Sequence, residues 1–458
     1  MQKTENTMPT QHISMFHGFV RSALLAALLG CAWVATSVSA AQQQDLNLAA
    51  LDPNFSPISQ QNRPLLFKRL VAAFDNKYAA HLAKNPHKNL ADGYTVYYLR
   101  QELQALLDIW RATGKSTYLE NAHKLALKAI ADAKANPRPL LWHNQQRGTW
   151  PCFYSKEIEK ATGGHGQLYD FQGSAGFLMV ADALKQAEQN DWKEIADFVE
   201  QSIVEKWLSC NPNTSPEQLK GPQSNMYLLS VLNTGRDTRE HFAAICMDLH
   251  KLGYTKYPYK QWTLFLTELY LGIRPNLDTP APGAALLTRN APPDWGVVPD
   301  KSTGGYTWYF IPDWQSPNRL AVLDTSHANR TIWLAAAAYH EGFIDRSRLD
   351  GFINTLKLQV WAPSKGPFYF NNLIDRSDLE VQKMPPGRKG NLWFGWHRLA
   401  AYDQTLERLF LSISYDLTNG GPNIPQGAQN KGMEEAPLCF FAWGARLLSP
   451  NGQPQRFP

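Results

Sequence analysis

The fold of this chain is decided by residues 94–135, which read YTVYYLRQELQALLDIWRATGKSTYLENAHKLALKAIADAKA. Apolar residues recur three and four positions apart on both sides of Thr113-Gly114-Lys115, and this spacing is typical of amphipathic helices. The glycine stands where a helix C-cap favours it, because glycine adopts the left-handed backbone conformation at no steric cost. Residues 94–112 and 116–135 are therefore predicted to form a pair of antiparallel helices.

The same helical spacing repeats along most of the chain, with almost no alternating pattern of the kind that predicts strands. Long connections at residues 137–172, 275–320 and 362–389 are rich in aromatic residues or proline, whereas other connections are short turns. Paired helices build a solenoid, a bundle or a closed ring. The unequal connections favour a ring with one functional face. Helices are predicted at 65–82, 94–112, 116–135, 174–189, 192–208, 225–232, 238–252, 259–271, 326–339, 346–361, 395–417 and 434–448.

The composition argues against a nucleic-acid partner. The formal net charge is only +5 over 458 residues, and the basic residues are scattered without a long run. A weak positive balance suits an anionic substrate but does not require one. The length fits one large domain or two of medium size.

The N-terminus has the features of an export signal. Arg21 supplies a positive flank, residues 23–35 are apolar apart from Gly30, and Val38-Ser39-Ala40 fits a small-residue cleavage site. The alternatives are a membrane anchor, for which the apolar run is short, and lipidation at Cys31. The predicted organisation is a signal peptide at 1–40, an arm at 41–61, a helical domain at 62–449 and a tail at 450–458. The mature protein is expected to be periplasmic or secreted, without a membrane span.

Four cysteines remain after that cleavage: Cys152, Cys210, Cys246 and Cys439. An oxidising compartment permits disulfides. The spacings match no zinc pattern, and a domain of this size does not need cross-links to fold. Buried free thiols are the favoured interpretation.

One polar stretch stands out between an aromatic loop and an apolar helix. It is residues 324–330, DTSHANR, and it follows the loop 306–314, YTWYFIPDW. Asp324 or Ser326 is the expected N-cap, which places His327 in the first turn and Arg330 on much the same face. The positive end of the helix dipole disfavours a protonated imidazole. A neutral His327 and an Arg330 are therefore expected together beside aromatic rings.

These residues carry a resemblance to a known enzyme class. Paired helices, then Tyr306-x-Trp308-Tyr309, then Asp324-Thr325-Ser326-His327-Ala328-Asn329 opening a helix that ends in Ala338-Tyr339-x-x-Gly342, resemble the (α/α) toroid carbohydrate enzymes. Within that class the pattern is most similar to alginate-lyase-like and glucuronan-lyase-like polysaccharide lyases. The resemblance implies an all-α fold, an (α/α) toroid built as an incomplete barrel of helical hairpins, with long aromatic loops and few short strands. It also implies β-elimination on an acidic, uronate-containing polysaccharide or oligosaccharide, with Tyr and His transferring protons.

Residue roles follow from that chemistry. The uronate carboxylate must be neutralised, a base must remove a proton and an acid must protonate the leaving oxygen. The predicted catalytic residues are Tyr309, His327, Arg330 and Tyr306. The predicted substrate-binding residues are Asn329, Asn225, Arg319, Trp308, His165, Tyr169, Trp150, Gln172 and His397. No cofactor is expected, and no metal, because no His, Cys or Asp cluster has ligand spacing along the sequence.

Two other functions remain open. A glycoside hydrolase on the same fold needs two facing carboxylates, and a non-catalytic glycan-binding envelope protein would use the aromatic loops alone. Structural roles are alternatives for single residues as well: His327 as a brace of the helix start, Arg330 in a pair with Asp324 or Asp313, and part of the aromatic loop as core. The acidic candidates for hydrolysis are Asp313, Asp324, Asp375 and Asp403.

Overall fold

Helices form nearly all of the regular structure, and most begin within two residues of the position that the apolar spacing predicts. The computed structural model describes residues 62–88, 90, 93–135, 137–138, 150–151, 166–208, 215–221, 224–232, 236–275, 295–310, 321–366, 368–376, 395–419 and 436–449. These residues all belong to one unit, Leu51–Pro458. The predicted signal peptide, arm and tail lie outside the described residues and stay predictions.

In chain order the helices are α1 (Arg63–Leu82), α2 (Gly93–Thr113), α3 (Ser116–Ala135), α4 (Gly166–Gln186), α5 (Trp192–Phe198), α6 (Glu205–Leu208), α7 (Pro216–Lys220), α8 (Ser224–Val231), α9 (Arg236–Leu252), α10 (Tyr259–Leu271), α11 (Thr325–His340), α12 (Arg346–Asn354), α13 (Gln404–Thr418) and α14 (Ala436–Leu448). A π-helical segment, Val199–Val204, joins α5 to α6, and another, Thr355–Val360, extends α12. The 3-10 segment Trp396–Ala401 precedes α13.

Six of these elements form an inner ring. The elements α2, α4, α9, α11, the 3-10 segment Trp396–Ala401 and α14 pack side by side in that order, and α14 packs against α2, which closes the ring. The outer helices α1, α3, α5, α10, α12 and α13 each pack against one or two inner elements. Inner and outer helices alternate along the chain, so the architecture is the predicted (α/α) toroid.

The two faces of the ring differ in their connections. Only Gly114 and Lys115 lead out of α2 into α3, and Gly114 has the positive φ of 70° that its C-cap position requires. Long segments lead into the inner elements instead, such as the one between α10 and α11. The N-terminal ends of the inner helices therefore lie on the face with the long connections.

The strands are two-residue antiparallel pairs on those connections. They are β1 (Pro137–Arg138) with β2 (Trp150–Pro151), β3 (Val298–Pro299) with β4 (Tyr306–Thr307), and β5 (Tyr309–Phe310) with β6 (Ala321–Val322). The core lies between the two layers of helices, because the inner helices are buried on almost every side. Cys246 and Cys439 are buried free thiols as predicted, whereas Cys152 and Cys210 lie outside the described residues. No helix in the described ranges has the length and hydropathy needed to cross a bilayer.

Candidate active site

Arg330 reaches across the centre of the ring from the second turn of α11. Its guanidinium donates to the Tyr97 hydroxyl of α2 and, at 3.4 Å, to Gln172 Oε1 of α4. Asp237 of α9 lies 3.4 Å from Nη1. Burial alone would lower the pKa of Arg330, but Tyr97 and Asp237 outweigh it and raise the pKa. Arg330 thus remains charged and joins four inner helices at one point.

A second layer of polar residues surrounds the groups that contact Arg330. Arg100 Nη1 lies 2.5 Å from His241 Nδ1, and since a guanidinium can only donate, Nδ1 accepts. The other nitrogen, Nε2, then carries the proton and donates to Gln172 Oε1 at 2.9 Å. Burial, with the charges of Arg100 and Arg330, lowers the pKa of His241 well below its usual value. A neutral His241 with a fixed tautomer therefore holds Gln172 in place.

Glu240 lies one turn of α9 after Asp237 and is fully buried. The Thr331 hydroxyl donates to its Oε1 at 2.6 Å, and Arg236 Nε donates at 2.9 Å. Burial raises the pKa of this carboxyl group against the effect of Arg236. Its contacts link the starts of α9 and α11, so its role is to position Asp237 and Arg330.

The N-cap of α11 is Asp324, whose side chain accepts from the backbone N–H groups of Ser326 and His327. Asp324 Oδ2 also lies 2.5 Å from His327 Nδ1. Burial acts to lower the pKa of His327, but the Asp324 carboxylate outweighs it and raises the pKa. The same pair lowers the pKa of Asp324 against the effect of its burial. The Asp324 carboxylate therefore acts against the helix dipole, which was expected to disfavour a protonated His327.

The imidazole of His327 remains accessible at the mouth of the ring. Its side chain is 43% exposed, whereas that of Asp324 is 12% exposed. Its Nδ1 donates to Asp324, and Nε2 lies on the side of the imidazole opposite to that contact. The predicted position of His327 in the first turn of its helix is confirmed.

The aromatic loop does not provide the predicted proton-transfer groups. Tyr306 and Trp308 are buried against Phe352 of the outer helix α12, with ring centroids 5.1 and 5.6 Å away. Burial raises the pKa of Tyr306 to about 12 and also raises that of Tyr309. A tyrosine base needs a lowered pKa, so these residues are poor bases, and Tyr306 and Trp308 are core residues.

Only some of the other predicted residues meet Arg330. Gln172 does so directly, and Tyr169 packs edge-on against Tyr97 with centroids 5.1 Å apart. Asn329 is buried, and its amide donates back to the Ser326 carbonyl. His397 is buried among the rings of Phe410, Phe440 and Trp443, as a structural histidine would be.

The remaining predicted residues lie elsewhere. Asn225 lines a separate surface cavity beside the outer helix α10, together with Tyr257 and Phe265, so it does not join the site. Arg319, His165 and Asp313 lie outside the described residues. For Trp150 the backbone of β2 is described, but the side chain is not. Asp403 caps α13 and pairs with Lys357, which gives it a structural role.

The sequence interpretation missed Asp237, Tyr97 and Arg100. Each faces the ring centre from an early turn of an inner helix, and Arg100 also stacks 4.1 Å above Trp333 of α11. The available signal was a cluster of charged residues at the start of an otherwise apolar helix, as in Arg236-Asp237-x-x-Glu240-His241. Such clusters normally indicate a solvated face, which is why they did not stand out.

Comparisons with known proteins give a weak structural likeness. No protein-family model and no curated protein matches the chain. Two solved structures are similar to it, both inactive variants of the alpha-1,6-mannanase of Salegentibacter sp., in complex with alpha-1,6-mannotriose and alpha-1,6-mannotetrose. Each is 10% identical and covers 77% of this chain and 89% of its own, with TM-scores of 0.44 and 0.42. In both variants two consecutive aspartates are replaced, and this chain contains no two consecutive aspartates.

The predicted polysaccharide lyase activity is wrong. The two similar structures are named mannanases and not lyases, whereas the toroid is seen in the packing of this chain's own helices. The site itself lacks the predicted chemistry, because both tyrosines have raised pKa values. The charge of Arg330 is matched by Asp237 within the protein, which leaves it poorly suited to neutralise a uronate. A likeness this distant gives no information about the substrate of this chain.

Proposed function

We propose that this protein is a glycoside hydrolase that binds a glycan over the N-terminal ends of its inner helices. The observation that carries the proposal is the placement of two carboxylates, Asp237 on α9 and Asp324 at the cap of α11. Both act electrostatically on His327 and on Arg330. Hydrolysis of a glycosidic bond needs a proton donor and a carboxylate on either side of that bond.

The roles follow from the charges of these groups. Asp324 favours the protonated form of His327, so the exposed imidazolium is the donor to the departing glycosidic oxygen. Asp237 supplies the carboxylate that activates water, and Arg330 lies beside it, with Nη1 3.4 Å from Oδ2. Gln172 and His241 position Arg330 and do not contact the glycan.

The substrate class is a neutral oligosaccharide or polysaccharide. Arg330 and Asp237 largely cancel each other, so Arg330 is poorly suited to neutralise the carboxylate of a uronate. Tyr169 and Tyr97 add aromatic rings, which suit the apolar C–H faces of sugars. The export signal predicted at residues 1–40 favours a periplasmic or secreted location, where such glycans occur.

Release of reducing ends from a panel of glycans tests the proposal. The panel contains neutral glycans, among them alpha-1,6-linked mannan, and acidic ones such as alginate and glucuronan. We expect turnover on a neutral glycan. The variants Asp237→Asn and Asp324→Asn should each lower the rate of that turnover by roughly 10²-fold or more. Asparagine is an effective N-cap, so Asp324→Asn keeps the helix start while removing the charge.

Asp345→Asn is the matched control, because Asp345 caps the outer helix α12 through the backbone N–H of Arg348. It is expected to retain wild-type turnover. Wild-type rates for both site variants would contradict the assignment of these carboxylates. Tight glycan binding without any new reducing ends would identify a binding protein instead.

A further inference from the structure

Three potential metal ligands converge behind the inner helix α2, in what we call the His-Glu cluster: His81, His87 and Glu102. His81 ends α1, His87 lies on the connection to α2, and Glu102 lies on α2 itself. Both Nε2 atoms face the same carboxylate oxygen, Oε2 of Glu102, at 3.1 Å from His81 and 2.8 Å from His87. One donor atom from each residue lies within 4.8 Å of the other two.

The chemistry of the cluster fits a borderline-soft divalent cation. Two imidazole nitrogens and one carboxylate oxygen make up a ligand set that zinc uses, at about 2.0–2.2 Å from each atom, with water in the fourth position. Ligand atoms around such an ion are separated by roughly 3–3.5 Å, which is close to the two distances within the cluster. Only small side-chain shifts are therefore needed to admit the ion.

The surroundings also resemble those of a metal site. The Tyr78 hydroxyl donates a hydrogen bond to the Glu102 carboxylate, the kind of outer contact that orients a ligating group. Tyr78 and His81 are stacked, with centroids 6.4 Å apart. The side chains of His81 and Glu102 are 4% and 3% exposed, whereas that of His87 is 17% exposed. His87 thus stands on the path by which an ion would enter.

We propose that the His-Glu cluster binds one zinc ion through His81 Nε2, His87 Nε2 and Glu102. The ion ties the end of α1 and the connection after it to the inner helix that also carries Tyr97 and Arg100. Its role is structural, and the proposal does not depend on the glycosidase assignment. No spacing pattern along the sequence indicates this site, because its ligands come from two helices and the segment between them.

The alternative is that Glu102 simply accepts two hydrogen bonds from the imidazoles of His81 and His87. Measurement of the zinc retained by the protein distinguishes a zinc site from a hydrogen-bonded cluster without metal. The purified protein is equilibrated with zinc sulfate, desalted and measured for zinc content, and cobalt(II) loading is followed by its visible absorption, which reports tetrahedral geometry. We expect about one zinc per chain and a rise in melting temperature on zinc addition, because the ion binds the folded state.

The variants are His87→Ala, Glu102→Gln and a matched control, His123→Ala. His123 is 14% exposed and faces Asp191 at 3.9 Å, so it is similar in exposure to His87 but lies outside the cluster. We expect the first two variants to retain less than about one tenth of the wild-type zinc and to lose the zinc-dependent rise in melting temperature. The control is expected to behave as the wild type does.

Circular dichroism identifies variants that fail to fold. Should Glu102→Gln unfold, His87→Ala still decides the question, since its side chain is the most exposed of the three. A wild-type protein that retains no zinc, or a His87→Ala protein that retains as much as the wild type, would overturn the proposal in favour of the hydrogen-bonded cluster.

Discussion

At the scale of single residues, the pKa of His327 is raised by its neighbour Asp324. A helix N-terminus destabilises a nearby cation by about 0.3–1 kcal/mol. A carboxylate 2.5 Å away has the larger effect, because charge-assisted hydrogen bonds are about twice as strong as neutral ones. The sequence predicted the cap and the position of His327 correctly. It could not show that Asp324 would contact the imidazole, and that contact sets the direction of the pKa shift.

The titration of His327 checks this account. Asp324 raises the folded-state pKa of His327 above its ordinary value of about 6.5, so the pair stabilises the fold below that value and loses its effect as pH rises through the raised pKa. Asp324 has a lowered pKa, so its contribution is lost as pH falls through that pKa. We expect nuclear magnetic resonance titration to give a pKa for His327 above 6.5 in the wild type and a lower one in Asp324→Asn. An unchanged pKa in the variant would refute the pairing.

At the scale of elements, apolar periodicity predicted most helix starts closely and missed the start of α4. The predicted helix 259–271 matches α10 at both ends, and 116–135 matches α3. By contrast, α4 begins at Gly166 and not at residue 174. Its first two turns carry Gln167, Asp170 and Gln172, which are buried. Polar side chains on a buried face interrupt the apolar pattern, and one of them, Gln172, contacts Arg330 and His241 of the site.

Among the glycines that the structure describes, Gly395 leaves the least room for a side chain; it lies just before the 3-10 segment Trp396–Ala401. A Cβ atom there would lie 1.8 Å from the Asn329 carbonyl oxygen of α11. The added methyl group of Gly395→Ala forces the two backbone segments apart, so we expect urea denaturation to show a decrease of about 1–3 kcal/mol in the free energy of unfolding. We also expect reduced turnover, because α11 carries His327 and Arg330. At Gly114 an added Cβ atom would meet no other atom, and only the positive φ is unfavourable for alanine. Gly114→Ala should therefore lower the free energy of unfolding by about 1 kcal/mol without affecting turnover. Equal turnover in the two variants would argue against this coupling.

At the scale of the whole molecule, buried charges hold the ring closed. Asp108 of α2 accepts from both nitrogens of Arg398, at 3.2 and 2.8 Å, and from Arg446 of α14 at 2.7 Å. These partners are 290 and 338 residues away in sequence. Local periodicity carries no signal over such separations. The unequal connections suggested a ring, but only the structure shows which inner elements meet.

Removal of the Asp108 charge tests whether this carboxylate holds the ring of inner elements closed. Asp108→Asn leaves two buried guanidinium groups without a counter-charge, and we expect a loss of about 3–5 kcal/mol in the free energy of unfolding. Asp350→Asn removes one partner of an exposed pair with Arg346, whose side chains are 45% and 50% exposed, and should change stability by less than about 1 kcal/mol. Chemical denaturation of both proteins measures the difference. Similar losses in the two would contradict a closing role for Asp108.

The central claim is that the carboxylates at the mouth of the ring direct hydrolysis of a glycan. Mass spectrometry of products formed in water labelled with heavy oxygen tests it most directly. Hydrolysis places one labelled oxygen in each pair of new chain ends, and this product should be absent with Asp237→Asn. Unsaturated products without labelled oxygen, or labelled products formed equally fast by Asp237→Asn, would contradict the account.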